Sequence, residues 1–263
     1  SLAALILLGP RFWPGIAIGA FAVNLAIGAP PWVAVGMAVG NTLEALAGAY
    51  ALRLCNFDRS LSRLRDVLCL CLNAALLSTL VSATIGVASL WAGGLVRPDA
   101  LLATWRAWWL GDVLGMLVVA PVVLVWARRP RLPLQLKRRR LLDAILVTVL
   151  LVATSGLVFD VTAAQSNVPP YPYLVFPALI WAALSSRQRG VTAAILVMSI
   201  IAIAATAAGL GPFTGVALTQ GLLFLQLFLG VTAVTMLMLA AALGERDRAA
   251  EAREAVIGRL EYA

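Results

Sequence analysis

The sequence contains no histidine, a single lysine at Lys137, and only three cysteines, Cys55, Cys69 and Cys71. Without histidine there is no His-ligated haem, His-based zinc site, His general base or histidine phosphoacceptor within the chain. A Ser–His pair is excluded for the same reason, and no Gly-rich phosphate loop precedes a Lys-Ser or Lys-Thr. Lys137 sits in a run of basic residues, RPRLPLQLKRRR, where it is poorly placed to serve a Ser–Lys hydrolase. Cys69 and Cys71 lie two apart, about 200° around a helix, so they do not chelate one metal together. They read as structural thiols. No catalytic residue, cofactor or metal ligand is therefore expected.

Charge is also scarce. Only 12% of the 263 residues are charged and 62% are hydrophobic, against about 25% and about 45–50% in soluble domains. Such a chain cannot hide its apolar surface in one water-soluble core, so lipid is its expected solvent. The net charge of +8 does not suggest nucleic acid, because the basic residues cluster in short loops between apolar runs.

Apolar stretches of about 20 residues mark complete spans at 12–28, 31–53, 66–91, 105–127, 141–160, 172–186, 190–209 and 217–243. Residues 1–8 read as the tail of a truncated helix and lack the positive region of a signal peptide. The expected fold is all-α: a polytopic transmembrane bundle of about eight complete spans plus the truncated N-terminal helix. Eighteen of the 20 basic residues fall on one set of alternate loops, and only Arg97 and Arg106 on the other. The positive-inside rule places the richer side, with the C-terminal end, in the cytoplasm. Trp105, Trp108 and Trp109, then Tyr171 and Tyr173, fall at predicted outer span ends, where amphipathic rings prefer to sit. The pairs Gly15 and Gly19, Gly36 and Gly40, and Gly111 and Gly115 have the spacing that lets helices approach closely.

Two acids lie within predicted spans, where each ionisable group needs an account. Glu44 is near the middle of 31–53, with Asn41 on the same face, and Asp112 lies about 10 Å inside the next-but-one span by helical rise. Arg106 sits at the mouth of that span, six residues before Asp112 and on another face, so an ion pair to Arg106 would involve a different helix. The acids are structural, or bind a small cationic or polar ligand, or carry protons. Asn24, Asn73, Gln220 and Gln226 are the expected hydrogen-bond partners.

The last segment, GERDRAAEAREAVIGRLEYA, is charged and alanine-rich. It reads as the final membrane helix continuing into water, with Glu245 and Arg246 at the exit. A heptad runs through Leu239, Ala242, Arg246, Ala249, Arg253, Val256, Leu260 and Ala263, but its two arginines weaken the seam of a coiled coil. The expected division is a membrane domain at 1–243 and a connecting helix at 244–263, with a cytoplasmic domain following and a homodimer as the expected assembly.

Several stretches in order carry a resemblance: GPRFWPGIAIGAF (9–21), GNTLEALAGAYALR (40–53), WRAWWLGDVLGMLVVAPVVLVWA (105–127), YLVFPALIWAALSSRQRG (173–190), GLGPF (209–213), LQLFLG (225–230) and ALGER (242–246). The chain resembles the first membrane-associated sensor domain family, integral membrane input modules of bacterial signalling proteins. It departs in its truncated start and in SSRQRG, a looser version of the expected turn. The resemblance implies sensory input in a bacterial inner membrane. The output would be a histidine kinase of a two-component system or a cyclic-di-GMP cyclase or phosphodiesterase. It names no stimulus. Glu44, Trp105, Trp108, Trp109 and Asp112 match positions of the family pattern. A small-solute or proton-coupled transporter or channel is the rival reading, favoured by the mid-span acids and Gly/Pro-interrupted spans.

Overall fold

A computed structural model describes residues 1–127, 134–159, 171–214 and 217–261. Proline and glycine set the borders of its helices. α1 (Leu2–Leu8) stops at Gly9, whose φ of 102° suits a residue without Cβ. α2 (Trp13–Ala26), α3 (Pro31–Leu54), α5 (Pro98–Trp126) and α7 (Phe176–Ala207) each carry proline in their first turn. There the missing N–H costs nothing. α4 covers Leu64–Ala92, α6 Leu134–Phe159 and α8 Leu218–Glu261. All regular structure among the described residues is helical, as the composition requires of a chain that must satisfy its backbone in lipid. Large apolar side chains such as Ile18, Val23, Leu72, Val149 and Leu157 face outward.

Five helices are long and apolar enough to cross a membrane among the described residues: Leu64–Ala92, Pro98–Trp126, Leu141–Val158, Pro172–Ala207 and Thr219–Glu254. The expected count of eight is therefore too high, for two physical reasons. α2 has 14 residues, which reach about 21 Å at about 1.5 Å each, short of a hydrocarbon core of about 30 Å. α3 has the length, but Asn41, Thr42 and Glu44 dilute its apolar stretch. The segments 172–186 and 190–209 remain two separate helical runs within α7, broken at Arg187 (φ 50°, ψ −138°), where the chain folds back. The joint is tight: a Cβ on Gly190 would lie 2.7 Å from the Ala182 carbonyl oxygen.

The described chain forms two compact units. In the first, residues 1–59 and 68–127, α3 packs on α1, α2 and α4, and α4 packs on α5. Small residues set the closeness of α3 and α4: a Cβ on Gly36 would overlap Ser89, and one on Gly40 would come within 3.2 Å of Ile85 Cβ. The expected close packing holds for this pair. At Gly15, Gly19, Gly111 and Gly115 an added Cβ meets nothing within 4 Å among the described residues.

The second unit comprises residues 60–67 and the described residues after 127. In it α7 packs on α6 and α8. Gln188, just past the bend, is 5% exposed and donates to two carbonyls, Leu61 O at 2.5 Å and Leu237 O at 3.0 Å. Leu61 is fully buried with φ 52°, a left-handed conformation uncommon for a bulky residue. One side chain thus ties the 60–64 segment and α8 to the bend of α7.

Candidate functional site

Trp105, Trp108, Trp109 and Asp112 recur at helical spacing along α5 and therefore share a face. α5 packs on α4 in the first unit, and all three indoles donate to α4. Trp105 Nε1 donates to Thr84 Oγ1, Trp108 Nε1 to Ser82 Oγ and Trp109 Nε1 to the Leu76 carbonyl, each at 3.2 Å. The Trp105 and Trp109 rings stack with centroids 5.8 Å apart. Trp108 lies so close to α4 that a Cβ on Gly86 would meet its ring at 2.6 Å.

Ser82 is the hub between three helices. It accepts from Trp108 and donates to Asn41 Oδ1 on α3 at 3.1 Å. Asn41 and Glu44 are one helical turn apart, and Glu44 is 4% exposed. The carboxyl groups of Glu44 and Asp112 lie within hydrogen-bonding reach of one another and of Ser82. Asp112 Oδ2 is buried with no hydrogen-bond partner among the described residues. The sequence-expected residues Asn41, Glu44, Trp108 and Asp112 are thus brought together.

Two widened helical turns flank this cluster, Leu70–Ser78 in α4 and Gly115–Val119 in α5. Such π-helical turns expose backbone carbonyls and recur at functional sites; Leu76, which binds Trp109, belongs to the first. Beside the acids opens a cavity of about 620 Å³ lined by α1, α3 and α5, with Asn41, Glu44 and Asp112 at its polar end. Gly111 and Gly115 form part of its wall, so their missing side chains leave space instead of drawing helices together.

Some expected participants stand elsewhere. Arg106 is exposed and makes no ion pair among the described residues. Trp105 and Trp109 border α4 and do not line the cavity. Asn24 donates to Ala20 O in its own helix, and Asn73 reaches Cys55 Sγ at 3.5 Å. Ser82 was missed because a serine in an apolar helix usually bonds its own backbone, and nothing in its local pattern separates it from Ser78 or Ser89, which do so.

In the second unit the exit of α8 is fastened at several points. Glu245 Oε1 accepts the Leu64 N–H at 2.9 Å, placing an acid at the α4 N-terminus, where the helix dipole favours it. Asp247 pairs with Arg187 at 2.6 Å, and Arg248 donates to Ser62. Glu245 was singled out from the sequence, whereas Gln188, Asp247 and Arg248 were not. Arg246 is exposed. Of the basic loop read as a topology signal, Arg128, Arg129 and Arg131 lie outside the described residues, as do the side chains of Lys137, Arg138, Arg139 and Arg140.

Comparison with known proteins gives one result: the MASE1 family matches residues 1–247. Neither curated proteins nor solved structures gave a match. The match covers both units, including the polar cluster and the fastened start of the α8 extension. The chain belongs to the MASE1 family of membrane-associated sensory domains of signalling proteins.

Proposed function

We propose that this domain is the input module of a bacterial inner-membrane signalling protein, with its C-terminal end in the cytoplasm. In this reading α8 passes the state of the bundle to an output module in the same polypeptide, a histidine kinase or a cyclic-di-GMP enzyme. The catalytic chemistry belongs to that output module. The observation that carries the reading is α8 itself: one helix of 44 residues runs from an apolar stretch into a charged extension. Its charged part is fastened at Glu245, Asp247 and Arg248 to the 60–64 segment and the Arg187 bend. A rigid helix gripped at its exit carries rotation or translation outward. The loop-charge asymmetry supports the orientation.

Helical phase tests this reading. Alanines are inserted one at a time, up to seven, between Ala249 and Ala250 of the full signalling protein, and output activity is measured in membranes. Each residue turns the output by about 100°. Activity is expected to oscillate with insert length, on the order of tenfold between extremes, and to return near the uninserted level at seven, close to two full turns. Output indifferent to all seven lengths would contradict transmission through α8.

A further inference from the structure

The cavity of the first unit has a chemistry that selects its occupant. At about 620 Å³ it falls within the range of small-molecule sites. Its polar end presents Asn41, Glu44 and Asp112, and no lysine or arginine is among its lining residues. The body of the cavity is apolar, walled by residues such as Leu7, Met116 and Val119. The two carboxyl groups lie within hydrogen-bonding reach of one another at the polar end. An anion would face two acids at that end. A purely apolar guest would offer these two acids no donor. What satisfies the site is a donor-rich cation with an apolar remainder.

We propose that this cavity binds a primary or secondary amine carried on an apolar body, its ammonium group held by Glu44 and Asp112 and its body lying along α1 and α5. The assignment rests on the sensory reading only for its consequence, since binding itself is independent of any output. Gly111 and Gly115 keep the passage beside the acids open: a Cβ at either position has nothing within 4 Å among the described residues, so a larger side chain there would occupy the ligand's place without touching the carboxyl groups. Ammonium binding would draw Glu44 of α3 and Asp112 of α5 onto one charge. It therefore favours the packing in which those helices are close, as a ligand must if it is to shift an equilibrium.

The test is equilibrium binding of n-octylamine to the purified chain in lipid nanodiscs, with octanoate and octanol as probes of equal chain length. Empty nanodiscs correct for partition into lipid. Saturable octylamine binding is expected, with octanoate showing none and octanol at least tenfold weaker. Asp112→Asn and Gly115→Leu are each expected to weaken octylamine at least tenfold while retaining helical circular dichroism. If Asp112→Asn does not fold, Gly115→Leu decides alone. Octylamine uptake that never saturates, equal binding of octanoate, or full affinity in a folded variant would overturn the assignment. Because no output is read, these results stand apart from the insertion experiment: binding can fail while α8 still transmits, and the reverse.

Discussion

Gly86→Val is expected to destabilise the first unit by about 2–4 kcal/mol and to dismantle its polar cluster. The position has no room: a Cβ there meets Trp108 Cζ2 at 2.6 Å and Cη2 at 2.7 Å. Overpacking of this kind typically costs about 1–3 kcal/mol. The indole must move, and its Nε1 then leaves Ser82 Oγ, losing a hydrogen bond worth about 1 kcal/mol. Ser82 in turn loses the neighbour that orients it toward Asn41. Valine's branched side chain also restricts its own rotamers in a helix. Thermal unfolding followed by tryptophan fluorescence in lipid nanodiscs checks this. A midpoint and emission spectrum equal to those of the unsubstituted protein would show that Trp108 is not held as described.

The second large effect is expected in the other unit. Gln188→Leu removes the donor for two backbone carbonyls, those of Leu61 and Leu237. Leucine is similar in volume, so packing is largely kept while both acceptors lose this donor. The Leu237 carbonyl keeps its bond within α8, so the cost is about 1–3 kcal/mol for the Leu61 carbonyl plus about 1 kcal/mol for the lost bond to Leu237, slightly offset because Gln188 Oε1 has no partner among the described residues. The loss falls where Leu61 holds its left-handed backbone and where α8 leaves the bundle. Amide hydrogen exchange is expected to rise by at least tenfold across residues 60–64 and around Leu237, with smaller changes in α2. An unchanged exchange pattern would mean that Gln188 does not tie the 60–64 segment to α8.

The all-helical membrane fold was legible because its determinants are local. Apolar length, Pro31, Pro98 and Pro177, and Gly9 mark helices without reference to tertiary contacts. The span count went too far because hydropathy treats each apolar stretch as a crossing. It does not register that α2 ends after 14 residues. Glu44, Asn41, Asp112 and Trp108 were visible because acids and amides in apolar helices are conspicuous, and the α5 stripe has helical spacing. Ser82 and Gln188 were not, since their partners lie 26 to 127 residues away in sequence, at Trp108, Asn41, Leu61 and Leu237. Glycine spacing was ambiguous for a similar reason. The same four-residue interval brings α3 onto α4 at Gly36 and Gly40, yet borders a cavity at Gly111 and Gly115.

The central claim is that the buried acids belong to signal perception and not to packing alone. It is tested most directly by the output activity of the full signalling protein in membranes, comparing the unsubstituted form with Glu44→Gln and Asp112→Asn. Both changes preserve side-chain size, and insertion is checked by membrane fractionation. The growth conditions compared are those across which the unsubstituted protein's output varies. The account predicts that each substitution locks the output at one level across these conditions while the protein still inserts and folds. Regulation that survives both substitutions in folded protein would contradict it and leave Glu44 and Asp112 as elements of helix packing.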